Sequence, residues 1–217
     1  MFDLNSKTVV NRIFKTKDIL KMINADKDIK KDATSIEKIN LINVISEDTF
    51  NIKSNSLCKE IYIFNITLKE KRIPIEFIKA FDNVIELHTY FIFEFEEEFK
   101  ELCIYRYIED NKIKRCGIYE SEWGREEKKE LPYCMNICEI YNNFVMSLID
   151  FKRRANEDMN AFLERVSDIE KLKKEINSLE KKAFKEAQPR KKFDISREIR
   201  AKKEKLKDLE GDNYGQT

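Results

Sequence analysis

The densest concentration of chemically capable side chains is basic. Between Lys171 and Lys207 the chain carries fifteen Lys and Arg against six Asp and Glu, an excess of nine positive charges, and Arg190-Lys191-Lys192 is its tightest run. Lys182, Lys185, Arg190, Lys191, Lys192, Arg197 and Arg200 are the candidate contacts to DNA or RNA phosphates or to a protein partner. The competing reading is the solvated, Lys- and Glu-rich flank of a coiled coil. Trp123, the one tryptophan, stands beside Gly124 and either anchors the helix that follows or marks an interface.

A second group is acidic. Glu94, Glu96, Glu97, Glu98 and Glu101 crowd one short stretch, and clustered carboxylates suit Mg²⁺ or Mn²⁺. Asp82 with Glu98-Phe99-Lys100 imitates the acid-plus-Glu-x-Lys pattern of metal-dependent nucleases. That chemistry needs its Glu and Lys on a rigid strand beside the other acid, whereas alternation places them at a hairpin end, where carboxylates are ordinarily solvated. Cys134 and Cys138 stand one helical turn apart, but Cys58, Cys103 and Cys116 supply no second pair, so core thiols are expected rather than a metal site. His88, the single histidine, lies in an apolar run and reads as a hydrogen-bonded structural group. The expectation is therefore no catalytic residue, no metal and no cofactor.

Composition narrows the classes further. With one His, neither a multi-histidine metal site nor a broad choice of catalytic triads can be assembled within one chain. Gly117, Gly124, Gly211 and Gly215 never fall into G-x-G-x-x-G or P-loop spacing, which excludes nucleotide binding by those two routes. The 42 Lys and Arg nearly cancel 41 Asp and Glu, so any attraction to nucleic acid must be local. No apolar run approaches the roughly 18 residues of a membrane span, and Met1 to Val10 lacks the apolar centre of a signal peptide. Five scattered cysteines suit a reducing compartment. A cytoplasmic protein with no membrane partner is expected.

The elements that must position these groups follow from periodicity. Residues 7 to 24 repeat apolar positions at three and four and read as an amphipathic helix or two short ones. Lys38 to Ile45 reads as a strand, and Glu60 to Leu68 alternates with apolar groups on both faces. Pro74 to Ile85 reads as a crossover helix leading into Leu87 to Phe95, whose crowd of aromatic and branched residues marks a strand buried on both faces. Glu101 to Ile108 and Ile113 to Trp123, with Asn111-Lys112 between them, complete an antiparallel meander. Met135 to Ile149 has strong helical period and packs on the sheet. From Val166 to Ala183 a coiled-coil-like stripe runs to Gln188-Pro189 and resumes at Ile195, with Asp194 as N-cap, giving an antiparallel hairpin that turns near Ala187 to Phe193. The fold class expected is α+β: a mixed, mostly antiparallel sheet of about five strands with flanking helices, and a C-terminal helical hairpin. Residues 1–155 form the body, 156–210 the basic hairpin and 211–217 a disordered end.

Several segments together carry a resemblance. They are Asn11-Arg12-Ile13-Phe14-Lys15-Thr16-Lys17, Glu60 through Ile66, Phe91-Ile92-Phe93-Glu94, Tyr119 through Trp123, and above all Leu179 through Glu186 continuing into Pro189-Arg190-Lys191-Lys192-Phe193. On these the chain resembles the bacterial domain of unknown function 4391 family over nearly its full length. Phe14 and Glu86 stand where that family usually has proline. The resemblance implies genes encoded beside helicase and DNA methyltransferase components of restriction-like, anti-phage loci. It implies a non-catalytic accessory or adaptor protein that binds a helicase or DNA methyltransferase subunit. The alternatives are a nucleic-acid-binding accessory factor using the basic tail and, behind it, a metal-dependent nuclease around Asp82, Glu98 and Lys100.

Overall fold

Alternating, two-faced apolar runs build one sheet. β1 (Val9–Phe14), β2 (Ile36–Ile45), β3 (Ile61–Leu68), β4 (His88–Phe95), β5 (Glu98–Glu109) and β6 (Lys112–Glu120) lie side by side in sequence order. The helices are α1 (Thr16–Met22), α2 (Lys27–Asp32), α3 (Glu47–Phe50), α4 (Ile75–Val84), α5 (Ile137–Met146), α6 (Met159–Lys185) and α7 (Pro189–Glu210). The structure, a computed structural model, describes residues 2–54, 58–109, 112–125 and 128–211, with 108–109 and 112–116 described in their backbone alone. Of the expected disordered end at 211–217 only Gly211 is described, its N–H bonded to the Lys207 carbonyl at 3.2 Å; residues 212–217, the turn residue Asn111 and the Cys116 side chain lie outside what is described. The chain divides into two compact units, Met1–Asp150 and Phe151–Thr217.

All neighbouring strands are antiparallel except β3 and β4, which run parallel and are joined through α4. Parallel neighbours need such a crossover, and the short α4 supplies it. Its Phe77, Ile78 and Phe81 face the sheet and are buried. They meet Ile39, Leu41, Phe64, Ile66, Phe91, Phe93 and Leu102 in one core, where the Phe64 ring stands 5.1 Å from that of Phe81 and 5.7 Å from that of Phe91. Burying each of these side chains contributes about 1.5–3 kcal/mol. The opposite face carries α5. Its Tyr141 and Phe144 rings lie 5.6 Å and 5.0 Å from Tyr105 and Tyr90, and Tyr141 donates to the Ile104 carbonyl at 3.0 Å. Because both faces are covered there, the first six residues of β4 are all buried.

The α+β class and the helical hairpin are as expected, and three local readings are corrected. The sheet has six strands because Val9–Phe14, expected to be helical, is the edge strand β1; only Thr16–Met22 forms a helix. Asn11 adopts the left-handed conformation, φ 52°, and the register slips between Val9 and Arg12, so a bulge inside a strand gave the helix-like spacing. The second correction is the hairpin turn, which is shorter: α7 begins at Pro189 with Gln188 as N-cap, leaving Asp194 inside the helix. Proline is well suited to a first helical position, so Gln188-Pro189 starts α7 rather than merely interrupting the stripe. Third, β6 ends at Glu120, and Trp123 belongs to the segment beyond it.

In the second unit α6, at 27 residues about 40 Å long, packs antiparallel on α7. Val166, Ile169, Leu172 and Ile176 of α6 and Ile195 of α7 are buried. Arg165 closes the open end. Its guanidinium binds Glu157 at 2.6 and 2.7 Å and donates to the carbonyls of Lys152 and Leu209. This hydrogen-bonded pairing holds the Glu157 carboxyl below the usual range.

Candidate functional site

The seven basic candidates come together on the hairpin. Lys182 and Lys185 end α6, Arg190, Lys191 and Lys192 open α7, and Arg197 and Arg200 follow within three turns; all seven are exposed. Other lysines of the hairpin are engaged across it, Lys202 with Glu175 at 2.8 Å, Lys203 with Glu180 at 2.7 Å and Lys173 with Glu210 at 2.7 Å. None of the seven is held in an ion pair with a described residue. The two groups at the tip also differ in electrostatic setting. Cations at the C-terminus of α6 complement its dipole, whereas three cations in a first turn without an acid oppose that of α7. Flanking them, Phe184 is 88% and Phe193 68% exposed, large aromatic surfaces left in water on both sides of one turn.

The residues of the acidic reading are dispersed. Asp82 is fully buried on α4, where it accepts from Thr89 Oγ1 and pairs with the Arg106 guanidinium. Glu98 pairs with Lys71, and Lys100 reaches Glu120 at 3.1 Å. Glu94 accepts from Asn65, while Glu101 turns to Lys129 at 2.6 Å. Among the described residues no group of three His, Cys, Asp or Glu assembles in the manner of a metal site. Cys134 accepts from Asn143 and donates to the Pro132 carbonyl, Cys138 is half-buried, and Cys58 and Cys103 are buried. Burial pushes the Cys103 thiol up to about 12. His88 is buried with its ring edge-on to Tyr141, centroids 4.4 Å apart, and burial followed by the nearby Arg106 charge lowers it to about 4.

Arg106, not anticipated from the sequence, is the hinge of this buried polar group. From β5 its guanidinium donates to the carbonyls of Ile85 at 2.6 Å and Asp82 at 2.9 Å, satisfying the last turn of α4 while it neutralises the Asp82 carboxylate. A charge in the middle of Ile104-Tyr105-Arg106-Tyr107 was the available signal.

The sheet face that carries α5 is open at its other end, as a cavity of about 580 Å³. Asn11, Asn43, Asn65, Glu101, Trp123 and Lys129 are among its lining residues. Trp123 and Arg125 flank Gly124, which is pinned to β5 by a two-bond bridge, Phe99 N–H to the Gly124 carbonyl at 2.7 Å and Gly124 N–H to that of Phe99 at 3.1 Å. Trp123 is half-buried, packs on the α4-side core and receives the Lys71 ammonium 5.6 Å from its ring. It thus does structural work and at the same time walls the cavity. Lys129 is fixed by the N-terminal segment, whose Asp3 N–H donates to its carbonyl.

The family described as Domain of unknown function (DUF4391) matches residues 2–206. The chain belongs to that family. Compared with curated proteins and with solved structures, it matches none. Membership spans both the sheet unit and nearly all of the hairpin, so the two units belong to one family plan. Among the described residues no helix is long and apolar enough to cross a membrane.

Proposed function

We propose that this chain is a non-catalytic accessory protein whose helical hairpin docks onto an acidic surface of a larger partner. In the setting that the family resemblance implies, that partner is a helicase or DNA methyltransferase subunit of a restriction-like defence system. One observation carries the reading: Phe184 and Phe193, largely exposed, bracket Arg190, Lys191 and Lys192, three exposed cations that no described acid answers. Aromatic and arginine side chains dominate the binding energy of protein interfaces, and cations crowded at a helix N-terminus are relieved by an acidic counterpart. The test is co-expression with the neighbouring helicase and methyltransferase subunits, followed by affinity purification. Wild type should retain a partner that Arg190→Glu/Lys191→Glu/Lys192→Glu and Phe184→Ala/Phe193→Ala both lose; retention by both variants refutes docking through the tip.

The same tip favours a second reading, contact with single-stranded DNA or RNA, because stacking aromatics beside phosphate-binding cations is how such strands are held without sequence preference. Three phosphate contacts would give a logarithmic salt slope of about −2. A gel shift at low salt, lost in the triple-glutamate variant, supports it; no shift at low salt removes it.

A further inference from the structure

We propose that the cavity of the sheet unit binds a nucleobase that carries an amino group, presented as a free nucleoside. Its size, about 580 Å³, lies within the range of small-molecule sites. Its walls combine flat apolar surfaces, Ile92, Phe99 and Trp123, with three asparagines, Asn11, Asn43 and Asn65. Asparagine is disfavoured in strands, yet Asn43 and Asn65 lie on the inner strands β2 and β3.

The orientation of two of these amides follows from their partners. The Thr8 hydroxyl donates to the Asn5 carbonyl at 2.7 Å, so it accepts from Asn43 Nδ2 at 2.8 Å. A carboxylate only accepts, so Asn65 turns its Nδ2 to Glu94 at 3.4 Å. In both residues no described donor is bonded to the Oδ1 acceptor. Beside the cavity but outside its lining, Asn40 Oδ1 is buried without a hydrogen-bond partner on the strand position directly opposite Asn65. The site thus offers acceptors and asks for a ligand that donates.

Charge and shape narrow the class. Glu101 and Glu122 offset Arg125 and Lys129, so the lining offers no net attraction to a polyphosphate. A purely aliphatic ligand would leave the amide oxygens unanswered. A sugar in the place of the base, with a hydroxyl on nearly every ring carbon, would press several of them against Val9, Ile42 and Ile92. A flat heterocycle with an exocyclic amine satisfies the oxygens with its edge and the apolar walls with its faces.

Trp123, the chain's only tryptophan, lines the cavity, so its fluorescence reports occupancy. The protein is titrated with adenosine, cytidine, uridine and glucose to about 1 mM, the upper end of ordinary small-molecule affinities. Saturable quenching is expected for adenosine and cytidine, with uridine weaker by on the order of 10-fold, the value of one lost hydrogen bond. Asn65→Leu should weaken adenosine by a similar factor. Gly124→Phe guards against a folding artefact in that variant: Gly124 lines the cavity and a Cβ there meets nothing within 4 Å, so a ring is accommodated at the cavity wall and should abolish quenching. A short oligodeoxyadenylate forms the source arm. Binding tighter than adenosine that Gly124→Phe abolishes assigns the same base-recognising site to a strand-borne base. No saturable response to any nucleoside or to the oligonucleotide, equal responses to uridine or glucose, or quenching that survives Gly124→Phe overturns the proposal.

Discussion

Replacing Asp82 by valine tests whether the buried polar group holds the crossover helix to the sheet. Asp82 and Arg106 are 0% and 2% exposed at their side chains, and the Arg106 guanidinium also serves the carbonyls of Ile85 and Asp82. Removing the carboxylate leaves a guanidinium buried without its counter-charge and Thr89 Oγ1 without its acceptor, a loss of about 3–5 kcal/mol. Arg106→Leu strands the opposite charge and two carbonyls, each worth about 1–3 kcal/mol. In the double variant no charge remains, and the two carbonyls and the Thr89 hydroxyl stay unanswered. Its cost should fall short of the sum of the single costs by about 2 kcal/mol or more, since apolar replacement of a whole buried pair is often neutral. Urea unfolding followed by Trp123 reports the sheet unit, and with a slope of about 2 kcal/mol per molar the Asp82→Val midpoint should drop by about 2 M. Costs that add within about 0.5 kcal/mol would show that the two groups are not a unit and refute the reasoning.

His88 makes stability depend on pH. Its folded pKa of about 4 lies below its unfolded value of 6.5, so the unfolded chain binds the extra proton between them. Stability is therefore full above pH 6.5 and falls by about 3 kcal/mol as pH drops towards 4; urea midpoints across that window should slope in wild type and flatten in His88→Asn. Cys58 and Cys103 are fully buried with thiols pushed up chiefly by burial, so iodoacetamide at pH 8 followed by peptide mass spectrometry should find both unmodified until denaturant is added. The triple-glutamate tip variant places acids at the N-terminus of α7 on exposed positions, so its thermal midpoint by far-UV circular dichroism should stay level or rise, and a loss above about 1 kcal/mol would contradict the hairpin geometry.

What could be read from sequence was whatever burial imposes on a regular period. β3 and β4 carry apolar groups on both faces because both faces are covered, and α4 and α5 keep helical spacing because each packs one side on the sheet. β1 escaped for the converse reason. Its first five residues are exposed, so no buried face enforces alternation, and Val9, Val10, Ile13 and Phe14 fall at spacings that a helix also uses. The hairpin and the position of its basic residues were legible, since a stripe and a charge run survive any rotation of the helices. The exposure of Phe184 and Phe193 was not, because aromatic type alone argues for burial.

The cavity was illegible for a deeper reason: it exists through two departures from alternation. In a regular β2, Asn43 would share the face of Ile39 and Leu41 and enter the core beneath α4. Instead the register slips between Leu41 and Asn43, and Asn43 pairs with Ile63, two residues before Asn65 on the same side of β3. β1 makes the matching slip, between Val9 and Arg12, which sets Val9 opposite Asn43 while Arg12 returns to face Leu41. Both bulges border the cavity, through Asn11 and Ile42. Bulges re-aim side chains at the edges of sheets and cost ladder hydrogen bonds. Here they turn an amide out of an apolar core, where it would be unsatisfied, and onto the face where a polar ligand can answer it. Neither bulge carries a glycine to announce it, so the pairing of the strands, and not the residues of either one alone, decides which face Asn43 occupies.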